Sequence, residues 1–202
     1  MQRLILTMIL LGAGCTALAQ DALMRAEERA RYLGDYQALL DHEQSTVRMA
    51  AVEEALAGDD VEVRSMAIES ALSSDDERLH TTVIRWFIDT RSQISVTLIL
   101  PERASEAQKY IYQKWNGLIL KKPEVLGADE IKFKAGYGRG GQLVRGGMEL
   151  NFNAGGAGVC KMTAKPASGT VLAGQFHCTF GGGVVKSVGA DQAAIPVRID
   201  IS

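Results

Sequence analysis

Hydrophobic positions along the chain follow two periods, and the change falls near residue 90. Before it, apolar residues are spaced by three and four; after it, they alternate with polar ones. The alternation is clearest in Gly146–Phe180. Met148, Leu150 and Phe152 alternate with Glu149 and Asn151, and Cys160 and Met162 with Lys161 and Thr163. Leu172, Phe176, Cys178 and Phe180 share one parity, and Gln175, His177 and Thr179 the other. Such alternation marks half-buried antiparallel strands. Both cysteines fall on the apolar parity, so a bond between them inside the core twists neither strand. The pattern predicts further strands at Ile94–Leu100, stopped by Pro101, and at Ile131–Ala135. Shorter segments fall at 118–120, 125–126 and 143–144. A last strand runs through Ile195, Val197, Ile199 and Ile201, where Pro196 on the outward parity favours an edge position. Ser105–Trp115 has helical spacing and Gly117 ends it. Glycine clusters at 136–141, 146–147, 155–158 and 181–183 read as turns, and Pro166–Gly169 as the hairpin that brings Cys160 toward Cys178. The fold class is therefore α+β. A helical region spans 20–90, and an antiparallel β sandwich or small barrel spans 91–202, with one helix near 104–116 and one disulfide.

The helical region carries a repeat with a period of 16. Val47-Arg48 recurs as Val63-Arg64 and Leu79-His80, and Ala51 as Ala67 and Val83. Ala55-Leu56 recurs as Ala71-Leu72 and Phe87-Ile88, and Asp59-Asp60 as Asp75-Asp76. One period holds a helix of about three turns and a short turn. Gly58 sits where a left-handed cap would end a helix. Asp59 or Asp60 can take the free amides of the next one, and Ser74 with Glu77 fits a capping box. Leu23–Leu40 adds one or two helices, with Gly34 as a break. The Val-Arg-x-x-Ala-x-x-x-Ala-Leu pattern with Asp-Asp in the turn resembles HEAT-like repeats over residues about 35–90. That resemblance implies a stacked-helix scaffold of the kind used to bind proteins, and no catalytic residue. Arg48, Arg64 and His80 form a ladder along one edge. It reads either as a cationic strip for an acidic partner or, more plainly, as arginines that pair with turn aspartates or stay solvated. The stack is short, and the β region can cover its open end.

The first nineteen residues change the reading of the cysteines. Arg3, the apolar run Leu4–Leu11 and Ala17-Leu18-Ala19 have the layout of a secretory signal cut after Ala19. The run is too short to cross a bilayer, which takes roughly 20 residues as a helix. Leu11-Gly12-Ala13-Gly14-Cys15 resembles a lipobox, whose cysteine would be acylated. Gly12 replaces the branched residue that pattern wants, so lipidation at Cys15 is the lesser reading. After export Cys160 and Cys178 remain as an even pair in an oxidising compartment, where a disulfide is the natural state.

Composition adds little pull toward any partner class. The net charge is −2 among 202 residues, with no bias toward nucleic acid. Gly136-Tyr137-Gly138-Arg139-Gly140-Gly141 matches GxGxxG, yet strand-like sequence follows it where a dinucleotide site needs a helix. The match reads as a hairpin loop whose Tyr137 and Arg139 can touch a partner. A nucleophilic site needs a His held by an acid beside Ser or Cys. No motif ties His177 to Ser168 or Asp191, and Glu130, Glu149 and Asp200 show no pairing beyond chance. Tyr110, Tyr112, Trp115 and Trp86 read as core, with Tyr112 turned outward as a candidate contact. The expectation is a non-enzymatic interaction module of the bacterial-type cell envelope, periplasmic or secreted, with a protein partner. It takes no cofactor, metal or nucleic acid, and meets the membrane only if lipidated. The alternatives are a small-ligand or glycan-binding β domain and an envelope hydrolase. Oligomeric state is not legible.

Overall fold

The computed structural model describes residues 2–127, 129–134, 138–153 and 158–201, with side chains from Gln20 onward except at 138 and 139. The chain divides into two compact units, 1–51 and 52–202. The first holds α1 (Gln2–Leu40) and the start of α2 (Ser45–Ala57). α1 runs straight through Gly34, where the sequence suggests a break. Glycine inside a helix costs only about 1 kcal/mol, and the turns on either side are rich in good helix formers. Tyr36 and Leu40 are buried, and the Tyr36 hydroxyl donates to the Ala51 carbonyl at 2.6 Å. Among the described residues no helix is long and apolar enough to cross a membrane.

The second unit continues with α3 (Val61–Ser73) and α4 (Glu77–Thr90). The period of the sequence is the period of burial. Ala51, Ala67 and Val83 are buried, as are Val52, Ile68 and Ile84, then Ala55, Ala71 and Phe87, then Leu56, Leu72 and Ile88. Asp60 caps α3 by accepting from the amides of Glu62 and Val63, and Asp76 caps α4 through the amide of Arg78. The expected Ser74–Glu77 box does not form, because α4 starts two residues later; Ser74 Oγ instead accepts from the Asp76 amide at 3.1 Å. Gly58 does not adopt a positive φ either. Its amide donates to the Glu54 carbonyl at 2.9 Å and simply extends the last turn.

The rest is a barrel. Its strands are β1 (Gln93–Leu98), β2 (Leu118–Leu126), β3 (Glu130–Lys134), β4 (Gly138–Val144), β5 (Gly147–Asn153), β6 (Val159–Ser168), β7 (Val171–Thr179) and β8 (Gln192–Asp200). α5 (Glu106–Trp115) lies between β1 and β2, and α6 (Gly182–Val188) between β7 and β8. Each strand pairs antiparallel with the next, and β8 returns to β1, so the sheet closes. Closure settles the choice between sandwich and barrel. Pro196 is therefore not on an open edge. Its carbonyl accepts from the Ile99 amide at 2.8 Å, just past the end of β1, so its missing N–H faces the side where the ladder has run out.

Inward residues form rows across the sheet. Leu150, Met162, Phe176 and Ile195 face one another in register, as do Phe152, Cys160 and Cys178. All of these are at most 2 % exposed. The disulfide joins directly opposed residues, with Cα atoms 4.0 Å apart and an S–S bond of 2.06 Å. Replacing both cysteines by alanine should cost about 3 kcal/mol for a loop of this length. The urea midpoint checks it, and a midpoint equal to wild type would contradict it.

Other differences from the sequence reading have local causes. Gly138–Gly141 is strand, not loop. A Cβ at Gly141 would lie 2.0 Å from the Glu149 carbonyl, so glycine lets β4 approach β5. Residues 118–126 form one strand, interrupted by a bulge between Lys121 and Glu124 that breaks the parity. Gly182-Gly183 opens α6 rather than a turn. The β6–β7 turn is Gly169-Thr170, at the end of the expected Pro166–Gly169 stretch, whose first three residues extend β6 instead.

Helices roof both rims. α5 follows the end of β1 and packs on β8 and α6 at the same rim. Its Ser105–Gln108 capping box sets the start, and Gln108 also donates to the Ala194 carbonyl at 2.9 Å. Ala107, Ile111 and Trp115 point inward, and Trp115 lies 5.1 Å from Phe176 and 5.5 Å from Phe152, ring centre to ring centre. At the other rim α3 packs on β6, and α4 on β2, β4 and β5. The sequence changes from helix to strand at 90/91, but these contacts bind α3 and α4 into the barrel's unit. The β4–β5 turn, Arg145-Gly146, has positive φ at both residues. A Cβ at Gly146 would come within 2.9 Å of His80 Nδ1 and 3.3 Å of Glu77 Cα, so only glycine fits under α4. The outward positions carry mostly Lys, Glu, Thr and Gln, with Ile119 and Val159 exposed among them.

Candidate functional site

The ladder residues share one geometry. Arg48 Nη1 donates to the His42 carbonyl at 2.7 Å, Arg64 Nη2 to the Gly58 carbonyl, and His80 Nε2 lies 2.6 Å from the Ser74 carbonyl. Each side chain stands at the fourth position of its helix and reaches back over the turn to a carbonyl left free by the preceding helix. The ladder thus closes helix ends. Among the described residues none of the three pairs with a turn aspartate, and Asp60 and Asp76 serve as N-caps.

Arg64 does more than this. Its guanidinium stacks over the ring of Trp86, 5.8 Å from the centroid. Its Nε is shielded from water and has no hydrogen-bond partner. A buried donor left unpaired costs about 1–3 kcal/mol, a cost this side chain carries at rest. Around it lies an open groove of about 340 Å³, floored by Trp86 and walled by Gly58, Asp59, Thr90 and Arg91. Thr90 Oγ1 donates to the Trp86 carbonyl at 2.8 Å. Arg91 caps α4 and sits 5.6 Å from the Phe87 ring centre. Trp86 is half-buried, a groove wall as much as core. Arg91 was not singled out from the sequence. It falls outside the repeat, and nothing local reveals that the α2–α3 turn meets the end of α4.

Two other hollows are less distinctive. One of about 400 Å³ lies beside Asp129, Glu130 and Gln142; Arg85 bridges Asp129 at 3.1 Å. Another of about 340 Å³ lies beside Glu77, Arg78 and Arg145. There the hydrogen bond and charge of Asp76 raise the pKa of Arg78 above its ordinary value. Among the described residues, no group of three His, Cys, Asp or Glu is placed to hold a metal.

The remaining sequence candidates are dispersed. Trp115 is 5 % exposed and fills the barrel, so it lines no cleft. Tyr110 meets Phe180 edge to face at 5.7 Å, and Tyr112 beside it is half-buried rather than turned fully outward. Tyr137 lies outside the described residues, as do the side chains of Arg139 and Cys15. His177 is exposed between Lys161 and Ala194 on neighbouring strands, with no hydrogen bond to Ser168 or Asp191. Glu130 and Glu149 share a cross-strand row with Gln142 between them, and Lys161 neutralises Glu149 at 2.7 Å. Asp200, on β8, pairs across to Val171 instead. Comparison of the chain with protein-family models, with curated proteins and with solved structures finds no match in any of the three.

Proposed function

We propose that the chain is an exported, non-enzymatic interaction module of a bacterial-type cell envelope, and that its HEAT-like repeats supply the docking surface. One observation carries the reading. The described inward side chains of the barrel are buried, whereas the repeat edge holds an open groove with a stacked Arg64–Trp86 pair and Arg91. Arginine and tryptophan are the side chains most often found to dominate binding at protein interfaces. Export rests on the leader-like residues 1–19 and on the cysteine pair, whose bond persists in an oxidising compartment. Intact mass of the protein recovered from the envelope should correspond to a chain beginning at Gln20 with both thiols oxidised.

A photocrosslinking amino acid at position 90 tests the docking role. It should yield a discrete adduct in cells, while the same group at Val159, exposed on the barrel wall, yields none. Equal labelling from both positions, or no adduct from either, would count against the role.

A further inference from the structure

We propose that the groove beside Trp86 binds a carboxylate side chain on an acidic, extended segment of the partner protein, and that the segment continues along a lysine track on β2 and β3. This rests on the docking role above and names the chemistry it recognises.

Charge comes first. Two guanidiniums, Arg64 and Arg91, face one carboxylate, Asp59, across the groove. The groove lining thus holds two positive side chains and one negative in a chain whose net charge is −2. Geometry comes second. Arg64 is held on one side by the Gly58 carbonyl and from below by Trp86, so it loses little freedom when a ligand arrives. Its Nε has no partner. Once the guanidinium turns so that the shielded Nε meets the groove, a carboxylate entering over Thr90 takes Nε and an Nη together, in the bidentate fork that arginine offers to carboxylates.

The track beyond the groove points the same way. Arg91 leads through Ser92 into β1, and the Lys122 amide donates to the Ser92 carbonyl at 2.7 Å. Gln93 pairs with Lys121, and Lys121 pairs with Lys134. Like charges directly opposite each other across strands are destabilising. Lys122 has φ of 46°, in the left-handed region that side chains other than glycine rarely adopt. All three lysines are exposed, and among the described residues none has a carboxylate within 4.0 Å. A repelling pair and a strained lysine, side by side, both gain from an anionic chain laid across them.

The test is titration of the purified, disulfide-intact full chain with a hexaglutamate peptide and with hexaglutamine, followed by tryptophan fluorescence. Trp115 is buried and gives a constant background, and Trp86→Phe identifies the responding ring. Hexaglutamate should bind saturably and weaken steeply with salt. Arg91→Gln should weaken it at least tenfold, and Lys121→Gln with Lys134→Gln about threefold. Arg64→Gln should match Arg91→Gln; because it also removes a cap, its thermal midpoint is read alongside, and Arg91→Gln decides if it fails to fold. Equal binding of hexaglutamine, no effect of Arg91→Gln, or tighter binding of phosphatidylglycerol vesicles than of hexaglutamate would overturn the inference. If position 90 still gave its adduct in cells, the docking role would survive that result. Loss of both would remove the role itself.

Discussion

Gly174→Ala should abolish the native barrel or destabilise it by about 3 kcal/mol or more, a large effect for one added methyl. Gly174 sits in the inward row between Ala164 and Val197. A Cβ there would stand 1.7 Å from the Thr163 carbonyl oxygen, 2.7 Å from its carbon and 2.9 Å from Ala164 Cα. All three are backbone, so no side chain can swing aside and β6 must separate from β7. These are the two strands that carry the disulfide, so the wedge acts where the sheet is already tethered. Near-UV circular dichroism and the urea midpoint report the result. Gly182→Ala, at a position with nothing within 4 Å, serves as the control and should leave stability within about 0.5 kcal/mol. A Gly174→Ala chain with the wild-type midpoint would show that β6 and β7 are not as close as described.

Trp115→Ala should cost about 3–5 kcal/mol, the range for removing a large aromatic from a core. The ring contacts Phe152 and Phe176, and those two lie 5.3 Å apart, so one deletion breaks a three-ring cluster. Aromatic pairs add roughly 0.5–1.5 kcal/mol beyond the area they bury. The loss should also loosen α5, whose remaining inward residues are Ala107 and Ile111. Trp86 stays as the fluorescent probe of unfolding. Tyr112→Ala, on the half-buried flank of the same helix, should cost under about 1 kcal/mol. A Trp115→Ala cost that small would mean the helix merely rests on the rim.

Period-two alternation announced β5 to β8 because each of those strands has one wet and one dry face. The disulfide was legible for the same reason, both cysteines lying on the dry face. The 16-residue repeat was legible because burial recurs at that interval. Closure was not, since pairing of β1 with β8 is a contact between distant segments that leaves no local pattern. Gly138–Gly141 was misread because glycine has no side chain to alternate, and it is placed there by the nearness of another strand. α6 was missed because none of its residues is buried. At the candidate site Arg64 stood out through the repeat, while its use as a cap on Gly58 did not, since carbonyls are the same at every residue. Arg91 was invisible because its partners in the groove come from a turn more than thirty positions earlier.

The meander has a consequence for how the protein is made. Every strand after the first meets a partner that has already been synthesised, and the last meets two. The ring is completed only when β8 joins β1 at Thr97–Arg198 and Leu98–Val197, a seam two residue pairs long. Until then β1 and β7 both present open backbone, and any chain emerging beside this one offers the same missing strand. A newborn molecule is thus most prone to exchange β8 with a neighbour, and the shortness of that seam makes the last step of assembly also the first to fail under stress.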